Sequence, residues 1–150
     1  MDTLAIFGAK YLYLFAVAIA AGYFLLSDRK KEIAIFSILD LAAVYVTGLL
    51  GSALYYNPRP FVSEHITSLI SHAADNGFPS DHTLLVAALA SILYCYNRVL
   101  GIVVFAIAIL VGASRVFAGI HHSIDIIGSL GIAIAVTLVV YRMARKRFFA

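Results

Sequence analysis

Three short clusters hold residue types suited to handling a small anion. The first is Asn57-Pro58-Arg59-Pro60-Phe61. Prolines on both sides of Arg59 stop a helix and fix the local backbone. The guanidinium held there is a planar fork of donors that matches a pair of phosphate oxygens. The second cluster is Gly77-Phe78-Pro79-Ser80-Asp81-His82-Thr83. Ser80 suits the N-cap of a helix that starts after it. The free amides and positive dipole end of that helix make an anion site. His82, in the first turn, lies beside that anion, which favours imidazolium and suits it to give a proton. The third cluster is Ser114-Arg115, then His121, then Asp125. His121 and Asp125 are four apart near a helix start and share one face. A carboxylate at that spacing can take the Nδ1 proton and leave Nε2 free to attack, the logic of a base and its orienter. Arg115 can return to the same pocket across a turn at Gly119. The alternative for this cluster is an Arg115–Asp125 ion pair that only fixes helix packing.

Such residues need elements that bring them together, and the composition says which kind. Of 150 residues, 63% are apolar and 13% charged, with a mean hydropathy of +0.96. A soluble chain has about 45–50% apolar and ~25% charged residues. A disordered chain, a disulfide scaffold and a nucleic-acid-binding tail are excluded, so the net charge of +3 does not point to nucleic acid. Cys95 is the sole cysteine, so no intrachain disulfide forms. The first apolar run has no basic region before it and no A-x-A site after it, so it reads as a span and not as a cleaved signal peptide.

A bilayer core of about 30 Å takes roughly 20 helical residues. Five such spans are expected. The first runs from Leu4 to Leu26, the second from Ile33 to Tyr56, and the third from Ser80 to Tyr96. The fourth runs from Val99 to Phe117, and the fifth from His122 into the basic tail. Between spans two and three, Val62, Ile66, Leu69, Ile70 and Ala73 follow helical spacing, opposite Glu64, Ser68, Ser71 and Asp75. That pattern predicts a short helix lying in the interface, the alternative being a loop with a few anchors. The fold class is therefore an all-α integral membrane protein, a bundle of five transmembrane helices with six as the upper count.

Lys and Arg set the orientation. Arg29, Lys30, Lys31, Arg98, Arg142, Arg145, Lys146 and Arg147 fall on one side if five spans alternate. The positive-inside rule makes that side, with the C-terminus, cytoplasmic. The three clusters and all five histidines (His65, His72, His82, His121, His122) then gather on the outer face of a plasma-membrane protein. Ionisable groups at such depth suggest a function by default. Asp40, about 10 Å in from the cytoplasmic end by helical rise, is far from that face and reads as a helix–helix hydrogen bond.

The order Arg59-Pro60, then Pro79-Ser80-x-His82, then Ser114-Arg115-x5-His121-x3-Asp125 resembles the three signature motifs of the type 2 phosphatidic acid phosphatase superfamily. The motifs cover roughly residues 52–125. The stretches NPRPF and HAADNGFPSDHT, with Asp81 where many members have Gly, are most similar to the bacterial undecaprenyl-diphosphatase branch. The resemblance implies one transmembrane phosphatase domain over residues 1–150 and a lipid diphosphate as substrate, with membrane lipids as the other partners and no nucleic acid. It implies His121 as the nucleophile that forms a phosphohistidine, Asp125 as its orienter, and His82 as the proton donor to the leaving oxygen. Arg59, Ser80 and Arg115 would hold the phosphoryl oxygens, with neither metal nor cofactor. Other lipid phosphates, such as phosphatidylglycerophosphate, phosphatidate or lipid A 1-phosphate, remain open within the class. One departure is Ser52, which stands where the family usually has a Lys seven residues before the Arg. Asn57, protonated His72 or His122 are the candidate substitutes. Two competing readings are a zinc site of His82, His121, His122 and Asp125, which the two arginines would repel, and a non-catalytic transport or assembly subunit.

Overall fold

The computed structural model describes residues 1–148, and residues 145–148 by backbone alone. The side chains of Arg145, Lys146 and Arg147, part of the expected cytoplasmic charge, lie outside the described residues. Seven helices follow one another: α1 Asp2–Lys10, α2 Leu12–Leu26, α3 Lys30–Leu54, α4 Pro60–Ser63, α5 Asp81–Tyr96, α6 Arg98–Phe117 and α7 Ser123–Phe148. Among the described residues no strand forms, and one isolated bridge joins Pro58 to Asn76. Every expected span is helical. Three helices, α3, α6 and α7, are long and apolar enough to cross a membrane, and α1 with α2 makes a fourth if the bent pair is one span.

The fifth pass, α5, has only 16 residues, about 24 Å of helix. It is the axis of the bundle: α2, α3, α6 and α7 all pack on it. Val86, Ala87, Ala88 and Ala90 are fully buried. Small side chains let neighbouring backbones approach closely where lipid gives no hydrophobic drive between helices. Asn97 makes the tight hinge to α6, its side chain accepting from the Leu100 amide at 3.1 Å, an N-cap.

Two expectations need correction. The first span is not one helix; it bends by 41° at Tyr11. Gly8 is the reason α1 can tilt in, because it lies so close to Ser114 of α6 that a Cβ would overlap the serine hydroxyl. The interfacial helix over residues 62–73 does not form, and the alternative of a loop with a few anchors does. The only helical piece is the single turn α4, capped at Glu64, and His65 beyond it takes a left-handed φ of 54°. Residues beyond follow polar anchors instead of a helical face: the Leu69 amide donates to the Ala118 carbonyl at 3.0 Å, and Ile70 is buried beside Ala118 and Ile120.

Asp40 is fully buried and accepts from the Thr137 hydroxyl at 3.0 Å, tying α3 to α7. Asp40→Ala should therefore lower stability by about 1 kcal/mol, read as a lower melting temperature in detergent. Asp40→Asn, which keeps an acceptor, should stay near wild type. Equal melting of all three proteins would show that this bond does not hold the bundle.

Candidate active site

Arg59 sits in the link that follows α3. Its backbone is extended, as a residue before proline must be, and its side chain turns inward until only 4% of the residue is exposed. Nε donates to Asp75 at 2.7 Å, Nη1 to the Ile120 carbonyl at 2.8 Å, and Nη2 to the Asn76 carbonyl at 3.4 Å. Nη1 also lies 3.2 Å from His121 Nε2. Arg115, near the end of α6 and equally buried, donates from Nη1 to the Ala9 carbonyl at 3.0 Å, and its Nη2 lies 3.3 Å from the same His121 Nε2. The bend at Tyr11 explains the first contact. It ends α1, so the Ala9 carbonyl loses its helical partner and takes a cation at the negative end of the dipole.

A guanidinium can only donate, so His121 Nε2 accepts and its ring proton is on Nδ1. Nδ1 then donates to Asp125 Oδ2 at 3.2 Å. Asp125 is fully buried and held on every side: Asn57 Nδ2 donates to Oδ1 at 2.7 Å, and the His122 amide to Oδ2 at 2.9 Å. Such a carboxylate fixes both tautomer and ring plane. The Nε2 lone pair accepts from two cations, a position where a phosphoryl group would meet both nucleophile and charge. The alternative Arg115–Asp125 pair is not what forms.

Burial, followed by the charges of Arg115 and Arg59, holds the His121 imidazole below its ordinary range, although the Asp125 hydrogen bond pulls the other way. Burial would raise the Asp75 carboxyl, but the bond and charge of Arg59 hold it below the usual carboxylate range. His72, whose ring centroid is 6.4 Å from that of His121, is also lowered, by burial and then by Arg59. His122 turns both ring nitrogens to oxygens, with Nε2 3.1 Å from the Pro58 carbonyl and Nδ1 3.7 Å from Glu64. Asn57 is engaged with Asp125. Ser52 serves the loop instead, since its hydroxyl and carbonyl both accept from Asn76.

The second cluster arrives as expected at the start of α5, but its serine bonds differently. Ser80 occupies the N-cap position without capping through its side chain. Its hydroxyl pairs with Thr83 at 3.2 Å, while its amide donates to Ser129 of α7 at 2.9 Å. His82 packs edge-on against Tyr13 of α2, with ring centroids 4.8 Å apart. Among the described residues, no group of three or more His, Cys, Asp or Glu is placed to hold a metal ion, so the proposed zinc ligands are not assembled into one set.

Spacing alone missed several contributors. Asn76 ties three segments together, its Oδ1 accepting from the amides of Asn57 and Phe78 and its Nδ2 donating to Ser52 and Tyr55 carbonyls. Gly77 passes so close that a Cβ would sit 2.9 Å from Asp125 Oδ2 and 3.1 Å from the Asn57 carbonyl. The only signal for either was the density of Asn and Gly before Pro79.

The chain belongs to the PAP2 superfamily, whose family model matches residues 12–149, and it is a phosphatase. It is 30% identical over 146 residues to the undecaprenyl-diphosphatase BcrC of Bacillus subtilis, covering 96% of this chain and 75% of that protein. It is 31% identical over 133 residues to the putative undecaprenyl-diphosphatase YbjG of Escherichia coli, covering 87% and 67%. The crystal structure of Aquifex aeolicus LpxE has the same fold, with a TM-score of 0.72 at 23% identity over 93% of this chain and 82% of that one.

Asn57→Ala removes the bond that fixes Asp125, and Gly77→Ala pushes a methyl against the same carboxylate. Each should lower kcat by about 10²-fold while KM stays near wild type, with some loss of stability from the disturbed buried carboxylate. Wild-type kcat in both variants would mean that Asp125 needs no such restraint.

Proposed function

We propose that this protein, as one transmembrane phosphatase domain over residues 1–150, removes the terminal phosphate of a lipid diphosphate through a phosphohistidine. Undecaprenyl diphosphate, yielding undecaprenyl phosphate, is the preferred substrate. The observation that carries this reading is the His121 Nε2 lone pair, with its Nδ1 proton on Asp125 and two guanidiniums at 3.2 and 3.3 Å. Substrate support comes from the relatives named undecaprenyl-diphosphatase.

Phosphoryl oxygens take the donors of Arg59 and Arg115 that now rest on Nε2, and the Ser80 hydroxyl exchanges Thr83 for a third oxygen. The Nε2 lone pair forms the P–N bond as the P–O bond to the lipid monophosphate breaks. His82 gives its proton to the leaving oxygen. Asp125 balances the charge that the phosphorylated ring gains. Water then attacks phosphorus, its proton passes to His82, the P–N bond breaks and inorganic phosphate leaves. Positioning and positive charge supply most of what a loose phosphoryl transition state needs. The positive-inside rule puts this site on the extracytoplasmic face of the plasma membrane, since Arg29, Lys30, Lys31, Arg98 and Arg142 lie towards the other helix ends.

The test is phosphate release from a panel of undecaprenyl diphosphate, phosphatidylglycerophosphate, phosphatidate and lipid A 1-phosphate by purified protein, with and without chelator. His121→Ala should abolish release and leave no acid-labile phosphoprotein. His82→Ala should cost about 10²–10⁴-fold, and less with a leaving group that needs no proton. Release by His121→Ala at the wild-type rate would remove the phosphohistidine.

The pH profile follows from His121. It attacks only when neutral, and a lowered pKa keeps it neutral until the pH falls below the ordinary histidine range. The acid limb of kcat/KM should therefore lie below about 6.5. The same sign applies to stability. The unfolded chain binds that proton at higher pH than the folded one, so acidification through this window destabilises the fold. An acid limb above that value would contradict the buried, arginine-flanked setting of the ring.

A further inference from the structure

Ser129 lies near the start of α7, the helix that carries Asp125, and it is fully buried, as is Ser80. A serine hydroxyl has one proton and two lone pairs. Here Oγ accepts from the Ser80 amide at 2.9 Å, and its proton is shared between the Asp125 carbonyl at 2.7 Å and the Ser80 carbonyl at 3.1 Å. The bond to Asp125, four residues back, is one that a buried helical serine makes anyway; Ser91 of α5 makes the same bond to Ala87 at 2.8 Å. The two bonds to Ser80 are of another kind. They cross 49 residues of chain and hold both backbone polar groups of one residue on a single oxygen. Gly128 makes room for them, since a Cβ there would overlap the Phe78 ring and push α7 away from residues 78–80.

We infer that Ser129 is a positioning residue for the proton donor: it sets where the first turn of α5 stands against α7, and so where His82 stands against phosphorus at His121. This deepens the phosphatase proposal and rests on it for the roles of the two histidines. His82 follows Ser80 by two residues, and the Leu84 amide closes that turn on the Ser80 carbonyl at 2.8 Å, so the turn moves with Ser80. The edge contact of the His82 ring with Tyr13 fixes no hydrogen-bond geometry, so its placing falls to the backbone. The nucleophile is held by other means. His121 rests on Asp125, whose carboxylate takes the Asn57 side chain and the His122 amide. Without the Ser129 hydroxyl, the Asp125 carbonyl keeps its helical partner, the amide four residues on, whereas the Ser80 amide loses its acceptor. Proton transfer is thereby separated from nucleophilic attack.

The two steps can be read apart with para-nitrophenyl phosphate and purified protein in detergent. Its leaving group departs without a proton, while the water that later breaks the P–N bond must still give one to His82. With Ser129→Ala, the first turnover of nitrophenolate should stay within roughly threefold of wild type, the worth of one neutral hydrogen bond at Ser80. The acid-labile phosphoprotein left behind should decay about 10–100-fold more slowly. Ser91→Ala, which loses only the ordinary helical bond, should leave both rates at wild type. Equal slowing of the two steps, or wild-type rates in both, would overturn the assignment. Ser129→Cys, which fills the same space with a weaker donor and acceptor, carries the same test if the alanine variant does not fold. Amide hydrogen exchange of Ser129→Ala should rise over residues 78–84 and not over 121–125, and the reverse pattern would also overturn it. A wild type that forms no phosphoprotein would sink the phosphohistidine alone, with the exchange pattern still deciding which segment Ser129 holds.

Discussion

Two guanidiniums, each in a residue about 4% exposed, face one neutral imidazole. Cations removed from water are costly unless paired and hydrogen-bonded, and two of them near each other repel. Here their donors are met largely by carbonyl oxygens, which carry only partial charge: Ile120 and Asn76 for Arg59, and Ala9 for Arg115. The one carboxylate in contact, Asp75, is on the solvent side of Arg59, with 59% of its side chain exposed. The two cations therefore meet at a neutral nitrogen with little negative charge between them, which is the basis of the proposed phosphoryl site. The rest of the molecule holds that unfavourable arrangement in place.

The holding is done by helix ends. Each carbonyl that meets an arginine comes from a place where the helical ladder stops. Ala9 lies at the bend after α1, Asn76 lies in the loop before α5, and Ile120 follows the turn where Gly119 takes a φ of 73°. Backbone groups freed in this way must find partners when buried, and here they find guanidiniums. The same turn delivers His121 and starts α7, which brings Asp125 one turn later under its ring. Rigidity comes from α5, whose small side chains let four helices close around it, and from Ser129 Oγ, which bridges the Asp125 and Ser80 carbonyls.

The bundle and the reactive side chains were legible in the sequence because both are written in spacing. Apolar runs of span length fixed the helices, and Arg59, Arg115, His121 and Asp125 stood at their ends. The parts that stayed hidden are those with no periodic signature. The run GAKYLY holds no Pro, and Lys10 at the bend reads from sequence as a residue that snorkels from a continuous helix; tight packing of Gly8 on α6 shows only in the fold. The apolar positions from Val62 to Ala73 do fit a helix, yet the Leu69 amide bonds to the Ala118 carbonyl, and Asp75 and Asn76 just beyond are held by Arg59, Asn57 and Ser52, and these long-range bonds outweigh that local preference. Ser80 was placed correctly, but its partner depended on Thr83 and on a helix arriving from 49 residues away. Asn57 and Asn76 act through amide geometry that only a folded chain displays.

The contact between Arg115 and the Ala9 carbonyl changes the standing of the first helix. In many membrane proteins an opening hydrophobic segment is a tether whose identity matters little so long as it enters the bilayer. Here one of its peptide oxygens is a ligand of a central charge, and Tyr13 just beyond supports the ring of His82. Swapping it for a straight hydrophobic segment of equal length would preserve anchorage while returning that oxygen to the helical ladder and taking it from Arg115.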